Sequence, residues 1–243
     1  MRPLHAQNLL LAWERGSSPA HLPALHRALS MLEVACPEHS RAALAALGMS
    51  ARDRLLLQMR AMSFGARLDC RFDCPQCSAA LEFAASTEAL QPPCANPSDT
   101  VFGAYRLSLR EASSEDLCVA ARETDGSEAL RVLIERCVQV ENEQGHLEPP
   151  STWPVELRQH AGAYLETLHA SAAIVLQFDC PACGRHDAQT FDAASFVWRE
   201  VVHHAQRLLD DVHALAWAYG WSEAAVLRMH RRRRQAYLER VGL

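Results

Sequence analysis

Hydrophobic positions recur with helical spacing over the first sixty residues. Leu9, Leu10 and Trp13 share a face, and Gly16 predicts the end of that first helix. A second helix is predicted over residues 19–34, with Leu22, Leu25, Leu29 and Leu32 recurring and Pro37 closing the segment. Ser40 caps a short Ala/Leu helix that runs to Gly48. Ser50 caps a longer one carrying Leu55, Leu56, Met59 and Met62, ended by Gly65.

The pattern changes at Ala66. Leu68 to Phe72 reads as extended, a tight Cys-Pro-Gln-Cys turn follows, and Leu81, Phe83 and Ala85 alternate as a strand does. Pro92, Pro93 and Pro97 mark a loop. Residues 101–109 alternate through Tyr105, Leu107 and Leu109 and read as one strand. Ser113 or Ser114 opens a helix through Leu117 and Val119. Ser127 caps another that carries Leu130, Leu133, Ile134 and Cys137. Residues 141–150 are polar and read as a loop, and Pro154 sits at the first turn of a helix through Leu157, Tyr164, Leu165 and Leu168. Residues 173–178 are a short apolar strand, a second Cys-Pro-x-Cys turn follows, and residues 188–191 return. From Ala193 to Tyr219 the residues Val201, Ala205, Leu208, Val212, Leu215 and Tyr219 form a seam at spacings of four and three. Gly220 breaks it, Ser222 caps a short helix, and residues 231–241 form a last one.

Composition narrows the class. The chain has 243 residues, is 49% hydrophobic and 22% charged, and carries a net charge of -5, so it is neither disordered nor a generally basic nucleic-acid binder. All 24 positive residues are Arg. No apolar run approaches the ~20 residues that span a bilayer, and the N-terminus lacks a secretory signal pattern. The expected setting is a reducing cytoplasm, with no membrane partner. Nine cysteines in that setting argue for metal binding before disulfides.

The chemistry concentrates in a repeated motif. Phe72-Asp73-Cys74-Pro75-Gln76-Cys77 differs from Phe178-Asp179-Cys180-Pro181-Ala182-Cys183 only at Gln76 against Ala182. Two such turns each aim two thiolates at one point and together complete a tetrahedral four-sulfur shell, so Cys74, Cys77, Cys180 and Cys183 are expected to hold one structural zinc per chain. Pro stiffens each turn, and Gly184 admits the positive φ that a knuckle uses. The two pairs lie far apart in sequence, which loop-closure entropy tolerates because it grows only logarithmically. Two separate sites, or a redox pair at the mouth of a helix, are the alternatives.

Other cysteines and histidines read more simply. Cys70 is an alternative ligand or a buried strand residue. Cys36, Cys118 and Cys137 read as small core side chains, and Cys94 has no assigned role. His203 and His204 lie beside the seam as flanking residues, and His186 is a candidate to support the second knuckle. No phosphate loop, nucleophile elbow or paired-histidine motif is present, so no catalytic residue and no small-molecule substrate are expected. The run Arg231, Arg232, Arg233 and Arg234 is the one basic cluster. It suits a solvated face, an acidic partner or a phosphate contact. With Trp198, Trp221 and Tyr237 it makes the C-terminal segment the candidate partner-binding surface, since interfaces favour aromatics and Arg.

Three features together resemble a known family. They are the split Asp-Cys-Pro-x-Cys pair, Trp198-Arg199-Glu200 opening a long helix, and the tail Ala218-Tyr219-Gly220-Trp221-Ser222-Glu223-Ala224 followed by the Arg run and Tyr237-Leu238-Glu239. Leu11-Ala12-Trp13-Glu14-Arg15-Gly16 adds to them. The chain resembles the baseplate proteins of contractile phage tails and related injection systems, a family related to the baseplate hub assembly chaperone of T-even phages. It departs from the family pattern at Val226-Leu227-Arg228-Met229-His230, which lacks the Ser-Pro expected before the Arg run and leaves the last helix without an evident cap.

The resemblance implies a non-enzymatic structural or chaperone-like role in building a baseplate or hub. Its partners would be other tail, baseplate or hub proteins, and it would act in the bacterial cytoplasm during assembly or within the particle. A zinc-ribbon nucleic-acid-binding or transcription accessory protein is the alternative function. The expected fold is mainly α with a small β zinc ribbon, split by a long mostly helical insertion. The segments are 1–66 (N-terminal helices), 67–97 (first half of the ribbon and its loop), 98–171 (insertion), 172–192 (second half) and 193–243 (C-terminal helices).

Overall fold

A computed structural model of the chain describes residues 1–93 and 98–242. The apolar faces of α1 (Ala6–Ser17), α2 (Pro23–Ala35) and α4 (Met49–Phe64) meet one another and the N-terminal half of α8 (Ala193–Tyr219). Leu9, Leu10, Leu29, Leu32, Leu56, Leu57, Val197, Val201 and Leu208 are all buried in this core. Each such aliphatic side chain contributes roughly 1.5–3 kcal/mol by leaving water. The short α3 (Arg41–Ala45) is capped as predicted, the Ser40 hydroxyl accepting from the Ala43 amide.

Among the described residues the strands form three separate antiparallel sheets. β1 (Arg67–Asp73) pairs with β2 (Ala80–Ser86), and β6 (Val175–Asp179) pairs with β7 (His186–Thr190). Between them in sequence, β3 (Ser98–Phe102), β4 (Tyr105–Leu109) and β5 (Val138–Glu141) make a three-stranded sheet in that order. Leu107, Leu109, Val138 and Val140 of this sheet bury against Ile134 of α6 (Gly126–Cys137) and against Leu157, Ala161 and Leu165 of α7 (Val155–Ala172). The α5 helix (Ser114–Ala120) joins sheet to α6 and carries a full capping box between Ser113 and Asp116. The C-terminal half of α8 packs Leu215 on Val226 of α9 (Glu223–Arg228) and Leu238 of α10 (Arg231–Val241). The architecture is therefore α+β. The expectations for Cys94 and Pro97 lie outside the described residues.

Five local expectations are corrected. The single strand over residues 101–109 is a hairpin, because Gly103 at φ +57 makes a two-residue turn that pairs Phe102 with Tyr105. Gly16 does not end α1 but lies in its last turn. The second helix starts at Pro23, four residues later than residue 19. Ser127 is not a cap, since the Asp125 carboxylate accepts from the Ser127 and Glu128 amides. Ser50 lies inside α4, where its amide (2.8 Å) and hydroxyl (2.6 Å) both donate to Glu111. A carboxylate from the insertion thus does the capping there, which no local pattern could announce.

Candidate metal centre

Both knuckles have the same backbone form. The Cys74 amide donates to the Ala79 carbonyl at 2.9 Å and the Ser78 amide to the Cys74 carbonyl at 2.8 Å. In the second knuckle, the Cys180 amide donates to Arg185 and the Gly184 amide to Cys180, each at 2.8 Å. The residue after the second cysteine takes a left-handed conformation in both, Gly184 at φ +71 as expected and Ser78 at φ +56. β1 and β6 deliver the turns, and the equivalent residues Phe72 and Phe178 meet edge to face at 4.7 Å. Cys74, Leu81 and Cys180 are buried beneath.

The four sulfurs of Cys74, Cys77, Cys180 and Cys183 lie within 4.8 Å of one another. Across the two knuckles, Cys74 to Cys183 is 3.8 Å and Cys77 to Cys180 is 3.6 Å. These are far longer than the ~2 Å of a disulfide. A tetrahedron with ~2.3 Å metal–sulfur bonds has edges of about 3.8 Å, so the spacing suits a four-coordinate soft metal. Cys74 and Cys180 are buried and Cys77 and Cys183 exposed, so the cluster has one wet edge.

The four thiols do not ionise alike. The amides of Cys77 and Gln76 draw the Cys74 thiol down to about 7 against the effect of burial. The Ala79 amide acts likewise on Cys77, but desolvation and the crowding thiols Cys183, Cys180 and Cys74 outweigh it and push Cys77 up to about 12. Four thiolates do not coexist at this distance without a cation, and a bound one deprotonates them all.

The remaining candidates are placed elsewhere. Cys70 faces the helical core, and burial raises its thiol. Cys36 and Cys137 are buried, whereas Cys118 is only half-buried. His186 pairs with Asp179 at 2.6 Å on the exposed side of the second hairpin. His204 stacks on Phe64 at 4.3 Å between ring centroids, and His203 is exposed.

The C-terminal candidates divide. Trp198 is 8% exposed and belongs to the core, with the Arg27 guanidinium 5.4 Å above its ring. Arg234 is likewise buried, donating to Asp211 at 2.9 Å, so one member of the Arg run is an internal ion-pair residue. Arg231, Arg232 and Arg233 are exposed. Trp221 and Tyr237 are half-buried and form an aromatic cluster with Tyr219 at centroid distances of 4.6, 4.8 and 5.7 Å. Trp217, on the outward side of α8, is 86% exposed. It sits two residues past Leu215, on the side of α8 opposite the buried seam. His230 supplies the missing cap of α10, its Nδ1 accepting from the Arg232 amide at 3.3 Å.

No helix among the described residues is long and apolar enough to cross a membrane. Comparison with curated proteins found no match, and comparison with solved structures found none either. A family model described as T4 bacteriophage base plate protein matches residues 8–198, from α1 through both cysteine knuckles to the first turns of α8. The chain therefore belongs to the T4 bacteriophage base plate protein family.

Proposed function

We propose that this chain is a non-enzymatic structural or assembly component of a contractile-tail baseplate, chaperone-like in helping to build the hub, and that Cys74, Cys77, Cys180 and Cys183 hold one structural zinc in a split ribbon. The observation that carries the reading is a four-thiol cluster inside a base plate family match. Zinc bound there supplies a cross-link with no open coordination position, which suits a clamp and not a catalyst. The clamp joins the knuckle ends of β1–β2 and β6–β7, where Cys74, Leu81 and Cys180 are the buried members of a small apolar cluster, while Leu68 and Cys70 anchor the other end of β1 in the helical core. So small a cluster at the knuckle ends gains from such a staple. By closing a loop of more than a hundred residues, it also fixes the insertion, β3 to α7, against the helical core. The C-terminal aromatics Trp217, Trp221 and Tyr237, with Arg231, Arg232 and Arg233, face partner proteins of the tail. Assembly takes place in the bacterial cytoplasm.

Two measurements test this. Metal analysis of the purified chain gives one zinc per molecule, and Cys77→Ser together with Cys183→Ser abolishes it and lowers the melting temperature. Deleting the gene from a complete particle locus leaves cells without assembled baseplates. A metal-free, chelator-insensitive chain would remove the clamp, and normal particles from the deletion would remove the assembly role.

A further inference from the structure

The first turn of α10 is built against the helix dipole. The N-terminus of a helix carries partial positive charge and favours acidic residues. Here the first turn contains none, and Arg231, Arg232 and Arg233 occupy it, all exposed. Among the described residues, none of the three makes a side-chain hydrogen bond or an ion pair, whereas the fourth, Arg234, is matched by Asp211 at 2.9 Å. The Arg234–Asp211 pair sets the first turn of α10 against α8, and Arg207 lies one turn before Asp211 on that helix. Arg207 and His203 are themselves exposed.

This arrangement lies on a chain whose net charge is -5, so the cations are concentrated and not general. It also lies on a fixed platform. Gly220 at φ +65 turns the chain, and the Tyr219, Trp221 and Tyr237 cluster locks the end of α8 to α10. Every cation of the patch that is permanently charged is Arg, whose planar fork takes carboxylates bidentately. The three guanidiniums of one helical turn diverge around the axis by about 100° each. That geometry suits separate carboxylate side chains better than the regular phosphates of a duplex.

We infer that Arg207, Arg231, Arg232 and Arg233 form a docking site for an aspartate- or glutamate-rich segment of another protein. The inference rests on the assembly reading above for the identity of the partner as a tail protein, but the chemistry of the site is tested apart from it. The probe is a fluorescein-labelled octaglutamate peptide, titrated with full-length chain at several salt concentrations. Arg231→Glu, Arg232→Glu and Arg233→Glu combined should weaken binding at least tenfold and create binding to an octalysine peptide. The control is Arg67→Glu, Arg71→Glu and Arg106→Glu combined, which makes the same charge change at exposed sites on β1 and β4 and should leave affinity within twofold. Equal loss in both variants, no binding by the parent chain, or tighter binding of duplex DNA of equal charge would each overturn the proposal. In the particle locus, the α10 variant should lose assembled baseplates while retaining its thermal melt. If the gene deletion blocks assembly and the α10 variant does not, the docking site fails and the assembly role stands. If the deletion has no effect, the assembly role fails while the peptide result still judges the site.

Discussion

Arg60 on α4 and Glu200 on α8, 140 positions apart, form a two-point ion pair, Nε to Oε2 at 2.8 Å and Nη2 to Oε1 at 2.7 Å. Arg60 is 5% exposed and its remaining amino group donates to the Gly65 carbonyl at the end of α4. Glu200 belongs to the Trp198-Arg199-Glu200 stretch, so part of that motif serves to tie the long helix to the N-terminal bundle. Removing one partner of such a pair strands a buried charge and costs about 2–3 kcal/mol after allowance for the partial exposure of Glu200. Glu200→Gln should lower stability by that amount in urea denaturation. Arg60→Met with Glu200→Leu should cost less than Glu200→Gln alone, because no charge is left unpaired. If the double variant is the weaker, the pair is worth more than apolar packing.

Gly16 is set by a neighbour rather than by its own backbone. A Cβ there would lie 2.4 Å from Cζ3 and 2.6 Å from Cη2 of Trp198, a rigid ring in the core. Ala ordinarily gains about 1 kcal/mol over Gly within a helix, but overpacking costs roughly 1–3 kcal/mol. Gly16→Ala should therefore destabilise the chain, and Gly16→Ala with Trp198→Phe should lose less than the two changes added. A melt raised by Gly16→Ala would show that the ring yields freely.

Ser78 is the one described non-glycine residue with a positive φ, at +56. The equivalent position in the second knuckle is Gly184 at +71. A left-handed conformation costs an L-residue roughly 1–2 kcal/mol, and glycine's added freedom in the unfolded chain returns part of that. Ser78→Gly should raise stability by about 0.5 kcal/mol, whereas Gly184→Val should lower both stability and the affinity of the four-thiol cluster for added zinc. Loss of stability in Ser78→Gly would mean that the knuckle is not strained.

Asp116 gives a pH dependence with a definite sign. Its carboxylate accepts from the Ser113 amide (2.9 Å) and hydroxyl (2.8 Å), from Arg110 (2.6 and 3.1 Å) and from Arg136 (2.7 Å). Burial opposes ionisation, but Arg110, Ser113 and Arg136 outweigh it and hold the group well below its ordinary value of 3.8. A depressed carboxylate stabilises the fold fully above the unfolded value and loses that contribution as pH falls toward the folded one. Asp116→Asn should cost about 3 kcal/mol at pH 7. The gap between parent and variant should close steadily below about pH 4. A gap of equal size at pH 3 would assign the cost to hydrogen bonding alone.

Much of the architecture was legible because its signals are local. The ends of α8 and α10 and the Ser40, Ser113 and Ser222 caps follow from helical spacing and short-range hydrogen-bonding chemistry. The hairpin at Gly103 was missed because alternation runs unbroken from Val101 to Leu109, and only the positive φ at Gly103 reverses the chain. β5 was missed because the helical face ending at Cys137 runs directly into it. The family resemblance is read mostly from the 218–239 tail, yet the matched span is residues 8–198, which holds the N-terminal opening and both knuckles and leaves that tail outside.

The sequence by itself determined the cysteine pairs, because a Cys-x-x-Cys turn fixes its own geometry within a few residues. It also determined the amphipathic faces that must be buried. Only the tertiary structure decided that the two pairs share one point in space, that Trp198 and Arg234 turn inward while Trp217 turns out, and that Glu111 caps α4. Those outcomes depend on which distant elements pack together. A spacing of three and four specifies that a helix has a buried face, but the chemistry of the surface laid against that face is set by residues more than sixty or a hundred positions away.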